Sequence, residues 1–318
     1  MSEPTRRAVL GTLAAAAGAA AQSRARKIWQ PKIGVTARYS ESNIEFLRKE
    51  GFTSVQLGVE RGTLDPAMPD ERIERIRQSV ADAGLYISSL LMIQNHIAPE
   101  PSAREQAISE FRAAIQLTGR MGVPHLATVS GTMPGRPLAE QVKEIVRVYT
   151  ENYFPLCQQH KVRILWEPWA GGPNIATGPV GYEALFTAFG NSPYIGLQYD
   201  PSHLAWQMMD PIQCARDYVD RIYDVHLKDT EIMWPVLRRT GINPLSPTRW
   251  WRFRLPGFGC VDWKAFFTVL MDAGYQGAMN IEHEDELYYP PYDGANFTEP
   301  FKTGLRIAHR FVRQYVPA

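Results

Sequence analysis

The sequence predicts an α/β protein built as a single (β/α)8 TIM barrel with a long insertion after strand 7. Three observations carry that reading. From Pro31 onward, short strand-like runs alternate with longer helical patterns. Such alternation argues for parallel pairing, because each right-handed crossover covers the sheet. Eight such units in about 290 residues favour a closed barrel over an open sheet. No linker marks a domain boundary within that stretch. At 318 residues, with 45% hydrophobic and 21% charged side chains, the chain has an ordinary globular composition. That balance excludes a disordered, collagenous or coiled-coil chain.

The elements follow in order. Lys32 to Ala37 is the first strand, and Ser40 is a candidate N-cap for the helix after it, with Asn43 where a capping box prefers Glu. Gly51 closes that helix, and Ser54 to Val59 is the second strand. Pro69 to Ala83 is helical, with Ile73, Ile76 and Val80 on one face. Leu85 to Met92 is the third strand, Ala103 to Met121 a long helix, His125 to Val129 the fourth strand, and Leu138 to His160 a helix. The second half repeats the grammar. Strands at Val162–Glu167, Ile195–Asp200, Ile222–His226 and Gly277–Glu282 are followed by helices at Tyr182–Phe189, Pro211–Tyr218, Lys264–Ala273 and Lys302–Tyr315.

The first residues read differently. Arg6-Arg7 precedes Val9-Leu10 and a small apolar run from Thr12 to Ala21, with Ala19-Ala20-Ala21 as a cleavage-site pattern. A charged start, a short apolar core and small residues at the end make a signal peptide. The paired arginines resemble a twin-arginine export signal. Residues 1–25 are therefore expected to be a twin-arginine signal peptide, residues 26–318 the barrel, and the location periplasmic. Lys plus Arg is 34 against 33 acidic residues, a net charge of +1. The chain as a whole has no polycationic bias toward nucleic acid or acidic membrane. Cys157, Cys214 and Cys260 are too few and too scattered for a disulfide scaffold or a thiolate zinc site, and are expected to be small buried hydrophobes.

Residues 229–261 break the rhythm between the seventh strand and its helix. The stretch carries Trp234, Trp250, Trp251, Phe253, Phe258 and several arginines. A loop of that length is usually functional. It leaves from the C-terminal end of a strand, the face where barrel active sites lie.

Four ionisable residues close four successive strands of the second half: Glu167, Asp200, His226 and Glu282. The last inward side chain of each strand points into the barrel mouth, so the four should converge. Three carboxylates packed there without a cation would repel one another, and a divalent metal removes that cost. Three oxygen ligands and one imidazole suit manganese, magnesium, cobalt, zinc or iron without choosing among them.

The pattern resembles the xylose-isomerase-like barrel superfamily of sugar isomerases and epimerases, including tagatose-3-epimerase-like enzymes, inosose isomerases and dehydratases, and endonuclease IV. The matching segments are Trp166-Glu167-Pro168, Asp200-Pro201-Ser202-His203, Val225-His226-Leu227-Lys228-Asp229, Leu255-Pro256-Gly257-Phe258-Gly259 with Val261-Asp262-Trp263, and Ile281-Glu282-His283-Glu284-Asp285. The likeness covers roughly residues 31 to 315. It implies that Glu167, Asp200, His226 and Glu282 are metal ligands and that Glu167 and Glu282 also serve as acid and base. It implies one divalent ion, manganese first, with magnesium, cobalt or zinc as alternatives. His203 matches a histidine that holds a substrate oxygen, and Arg254 an arginine that binds substrate hydroxyls. Lys228 and Asp229 are expected to brace the metal-site loop, with Lys228 also at the substrate. His96, Trp166 and Trp169 are expected to line the pocket. The aromatics Trp250, Trp251 and Phe258 are expected to offer a sugar a flat apolar surface.

The chemistry expected of such a ligand set is proton abstraction alpha to a carbonyl, through a cis-enediolate. Returning the proton to the same carbon epimerises it, and returning it to the neighbour isomerises the sugar. The alternative is a lyase or dehydratase, including a C-glycoside-cleaving enzyme acting on a 3-keto sugar, which uses the same site when a β-leaving group departs. An endonuclease-IV-like role is disfavoured. The fourth strand ends Val129-Ser130-Gly131 with no His, and no Asp-x-His follows His226. A non-catalytic sugar-binding module would not need both glutamates. The expected partner is a small-molecule sugar or keto-sugar, with neither nucleic acid nor membrane. A homo-oligomer or a small accessory subunit is compatible with the sequence.

Overall fold

The computed structural model describes residues 28–245 and 248–317. The expected signal peptide lies outside them. Eight parallel strands close a barrel: β1 (Lys32–Ala37), β2 (Ser54–Gly58), β3 (Tyr86–Leu91), β4 (His125–Thr128), β5 (Arg163–Trp166), β6 (Ile195–Tyr199), β7 (Ile222–Leu227) and β10 (Ala278–Ile281). Their order around the barrel is β1-β10-β7-β6-β5-β4-β3-β2, so β10 seals it by pairing with both β7 and β1.

The helices follow the strands. α1 (Glu41–Lys49), α2 (Asp70–Asp82), α3 (Pro101–Arg120), α4 (Leu138–Asn152), α5 (Phe154–His160), α6 (Pro179–Ala188), α7 (Pro201–Trp206) and α8 (Pro211–Tyr218) precede the insertion. α9 (Trp234–Thr240) lies within it, and α10 (Trp263–Asp272) and α11 (Glu299–Val312) follow. The Ser40 hydroxyl caps α1 by accepting from Asn43 N–H at 3.1 Å. Asn43 completes no capping box. Its side-chain amide donates to the carbonyls of Arg38 and Ala295, and its side-chain oxygen accepts from Phe297 N–H. That ties α1 to a short C-terminal hairpin, β11 (Tyr292–Asp293) and β12 (Asn296–Phe297).

The helix expected over 138–160 is two helices, parted at Tyr153. Pro155 has no N–H to continue the ladder, and its ring crowds the preceding turn. The insertion is a folded element. β8 (Asp229–Ile232) and β9 (Trp251–Arg254) form an antiparallel hairpin in the register Asp229 to Arg254 and Ile232 to Trp251, with α9 between them. Cys157 and Cys214 are buried as expected, but Cys260, on the turn after this hairpin, is exposed.

The apolar core lies between barrel and helices, where Val35, Leu57, Leu126, Ile164, Leu197 and Ile281 meet Leu47, Val80, Phe111, Ile145, Leu185 and Phe266. The barrel interior is polar, unlike the branched apolar layers of many such barrels. Asn280 on β10 accepts from Ser54 of β2 and donates to Ser88 of β3 and Asp224 of β7. The Ser88 and Ser89 hydroxyls both donate to Asp224. A register shift between Val55 and Gln56 breaks the regular β2–β3 pairing beside these two serines. Burial pushes the Asp224 carboxyl up, and its hydrogen bonds only partly offset that. Asn280, Ser54, Ser88, Ser89 and Asp224 satisfy one another, whereas the buried Gln198 amide on β6 has no side-chain hydrogen bond, and the layer above them carries the ionisable cluster.

Candidate metal centre

Glu167 follows β5 directly, and its N–H donates to Thr128 O at 2.9 Å, extending the parallel ladder by one residue. Asp200 follows β6 and caps α7, its Oδ1 accepting from Ser202 N–H at 2.8 Å. Pro201 at the first helical position fits this geometry, since its missing N–H would have no intrahelical partner. Capping uses one carboxylate oxygen. The other, Oδ2, is buried and accepts no hydrogen bond. His226 lies on β7, and Glu282 follows β10.

The structure brings these four together: one donor atom from each lies within 4.8 Å of all the others. His226 Nδ1 is 3.0 Å from Glu167 Oε1 and 3.0 Å from Glu282 Oε2. On the far side of the ring, Nε2 donates to Gln56 Oε1 at 2.8 Å, which leaves Nδ1 facing the carboxylates. Gln56 in turn donates from Nε2 to the Ser89 hydroxyl at 2.7 Å, so the imidazole hangs on the polar barrel interior. Burial disfavours a charged His226, but the facing Glu282 and Glu167 outweigh it and push its pKa well above the ordinary histidine range. Burial likewise opposes ionisation of Glu167 and Glu282, yet neighbouring cations hold both carboxyls low, Glu282 at about 2.

These residues fit a divalent cation. Three carboxylates and an oriented imidazole converge, and a buried Asp200 oxygen turned to the centre accepts no hydrogen bond, the Lys228 ammonium being its nearest cation at 3.1 Å. Outer-shell tethers of a metal-bound imidazole typically matter about 10–100-fold in affinity. Gln56→Leu, which removes the acceptor for Nε2–H, is therefore expected to weaken divalent-cation binding by about that factor. Calorimetric titration of the metal-stripped protein checks this, and an affinity within about twofold of wild type would show that Gln56 does not set the ligand.

Among the other residues expected at the site, His203 lies on α7 with Nε2 3.4 Å from Glu167 Oε1 and 3.6 Å from Asp200 Oδ2. The Trp206 indole N–H lies 3.4 Å from its Nδ1, and the Lys228 ammonium 3.3 Å from its Nε2, on the cluster side. Lys228 is buried inside the cluster rather than beside it. Its ammonium contacts Asp200 Oδ2 at 3.1 Å, Glu284 Oε2 at 2.9 Å and Glu282. Asp229 braces the insertion, its carboxylate accepting from the N–H groups of Gly257 and Val261 and from the Trp263 indole. Gly259 packs so closely on that carboxylate that a Cβ there would lie 2.2 Å from Oδ1, which accounts for the second glycine of the Pro-Gly-x-Gly element.

Not every expected residue reaches the pocket. Trp166 does not line the pocket. It is fully buried on the outer face of β5, against Phe186 and Phe189, with its indole N–H on the Tyr149 hydroxyl. Strand alternation requires this, because Glu167 next to it points inward. His96 is also walled off, hydrogen-bonded to Tyr153 and Thr128 and packed on Phe111. Burial drives its pKa down to about 3. Arg254 is committed to Glu231 and to Asp285, at 2.8 Å, and so ties the insertion hairpin to the loop that carries Glu282 and Glu284. Of the aromatics expected to present a sugar-binding face, Trp250 is buried with its indole N–H on Ile242 O, and Phe258 lies beside Arg254 on the exposed rim. Trp251 does face a cavity, together with Trp169.

Comparison with known proteins places this geometry. The model of the family described as "Xylose isomerase-like TIM barrel" matches residues 44–314. An uncharacterised protein, YfiH, of Bacillus subtilis is 37% identical over 103 residues, 29% of this chain and 32% of its own. An inosose dehydratase of Clostridium tetani is 34% identical over 91 residues, 28% of this chain and 30% of its own. The chain thus spans about a third of the length of these curated relatives. The crystal structure of a D-psicose 3-epimerase with D-tagatose, from Clostridium cellulolyticum H10, superposes with a TM-score of 0.67 at 12% identity. That match covers 90% of this chain and 100% of the other, a likeness of fold.

Proposed function

Because the chain belongs to the xylose isomerase-like TIM barrel family, we propose that it is a divalent-metal-dependent isomerase or epimerase that moves a proton alpha to the carbonyl of a sugar or keto-sugar. The observation that carries this is the pair of glutamates. Glu167 and Glu282 come from strands three steps apart around the barrel, yet both reach the same His226 nitrogen at 3.0 Å. They reach one centre from separate strands, which suits removing a proton from one face of a carbon and delivering one to the other.

A divalent cation held by Glu167, Asp200, His226 and Glu282, manganese first, supplies Lewis-acid polarisation of a carbonyl oxygen. The chain's own groups do the rest. His203 turns its Nε2 to a substrate oxygen beside Glu167. One glutamate takes the carbon-bound proton and the other returns one. Lys228 stands against Glu282, so that this carboxylate is available as a base.

Elimination is the second reading, supported by the local likeness to an inosose dehydratase. The same proton is removed, the electron pair forms the carbon–carbon double bond, and a β-hydroxyl leaves as water. Both readings are tested by proton NMR in heavy water with a panel of free and 3-keto sugars, metal being chelated before each spectrum is read. The expected result is metal-dependent loss of one C–H signal. A new vinylic signal would identify elimination. Product carrying no solvent deuterium at the reacting carbon would overturn proton transfer by the glutamates.

A further inference from the structure

A 350 Å³ cavity opens beside the cluster, lined by Trp169, Trp206, Trp251, Phe253, Tyr289 and Glu284 among others. None of Glu167, Asp200, His226 or Glu282 lines it. The two sites share a wall. Phe253 lies 4.4 Å beneath the Lys228 ammonium and 5.3 Å from the His203 ring. Glu284 accepts from the same ammonium. One wall is aromatic and flat, while Arg249, Glu284 and Glu286 supply charged groups at the cavity. Trp206 and Trp251 stack at 4.6 Å with 12° between their planes, and Phe253 meets Trp251 at 4.9 Å. Trp206 sits behind His203, on the nitrogen turned away from the cluster.

The remaining aromatic is held by the backbone. Trp169 lies across Gly171 and Gly172, where a Cβ would come within 2.6 Å and 2.3 Å of the indole. Two successive residues without side chains make room for one indole at the cavity wall. These aromatics come from the loop after β5, from α7 and from the insertion hairpin, elements brought together only by the barrel. The volume is at the low end of the about 300–1,000 Å³ of small-molecule sites, enough for one further ring. Flat aromatic walls bind the C–H face of a sugar or the face of an arene, and a free monosaccharide has no second ring to place there.

We propose that this cavity is an aglycone subsite, so that the substrate is a keto-glycoside whose carbonyl-bearing sugar lies at the cluster and whose second ring lies among Trp169, Trp206, Trp251 and Phe253. This rests on the sugar reading of the cluster above. The inference is tested by binding alone, with the full folded chain, in the presence of manganese and of chelator. Methyl, phenyl and glucosyl glycosides of glucose, galactose and xylose are titrated by calorimetry. The expected result is a preference of about tenfold for a ring-bearing glycoside over its methyl counterpart. The phenyl and glucosyl arms then tell an aryl aglycone from a second sugar. Trp251→Ala should collapse that ratio toward one. Since this change also unstacks Trp206, Gly172→Ala is the companion variant. It displaces the Trp169 indole without deleting any ring, and should reduce the ratio at least about threefold. Thermal melts confirm that both variants are folded. Equal affinity for methyl and ring-bearing glycosides across the panel, or a ratio untouched in both folded variants, overturns the subsite. Absence of solvent exchange with the ring preference intact sinks the reaction and leaves the subsite standing.

Discussion

Glu167→Gln and Glu282→Gln are each expected to reduce turnover by about 10²–10⁴-fold, and only one of them to abolish solvent deuterium exchange at the reacting carbon. The amide oxygen of glutamine keeps the shape of the carboxylate and can still coordinate weakly, so each variant should retain some metal. Neither amide can take a proton from carbon. The variant that has lost the abstracting base cannot begin the reaction, and its exchange falls with its turnover. The other variant can still remove the proton and give back one from solvent without completing the product. Its exchange persists while turnover fails. The two glutamates share one histidine nitrogen, at 3.0 Å each, so their inequality toward substrate must come from which face of the carbon each meets. Isotope washout read beside product formation on the same samples checks this. Equal loss of exchange in both variants would remove the division of labour.

Lys228→Met is expected to destabilise the metal-stripped protein by about 3–5 kcal/mol, the usual cost of leaving buried charges without their partner. Lys228 is only 1% exposed and touches Asp200, Glu282 and Glu284. Burial by itself would lower its pKa, but those three carboxylates outweigh it and hold the ammonium charged, well above the ordinary lysine range. Methionine matches the length of the side chain, so the loss is one of charge more than of volume. Since 1 kcal/mol shifts the melting point of a chain of this size by about 2–4 °C, a drop of roughly 10 °C is expected in chelator. Adding manganese should narrow the gap between variant and wild type, because a divalent cation bound by Asp200 and Glu282 offsets the same negative charge. Paired melting curves with and without manganese measure both numbers. A gap of the same size in both conditions would mean that Lys228 stabilises through packing alone.

Much of the fold was legible along the chain. Eight strand runs and the helices between them carry their own periodicity, and Ser40, Gly51 and Gly122 punctuate them locally. The ionisable strand ends were legible for the same reason. Residues in line with the period-2 alternation of Ile164-Leu165-Trp166-Glu167 or Val225-His226 announce which side chain turns inward. That rule, applied one residue further back, also places Trp166 on the outer face, where the structure has it. The break between α4 and α5 was equally readable from Pro155.

Other features have no local signature. His96 follows a strand and looks like a pocket residue, yet the tertiary packing of α3, α4 and α5 encloses it. Gln56 reads as one polar residue among Val55 and Leu57, and only barrel closure sets it against His226. Arg254 carries a family motif, but its partner Glu231 lies on the other strand of its hairpin and Asp285 on the loop after β10. The aromatic cavity joins residues 169, 206, 251, 253 and 289, which share no period. The sequence by itself determined the eight-unit barrel, the four ligand candidates and the insertion, because each rests on hydrogen-bond geometry and side-chain alternation within a few residues. Tertiary structure alone decided that Lys228 enters the cluster, that Gln56 orients His226 and that five aromatic rings share one cavity. Those contacts depend on distances across a closed barrel, where neighbours in space are separated by tens to hundreds of positions in the chain.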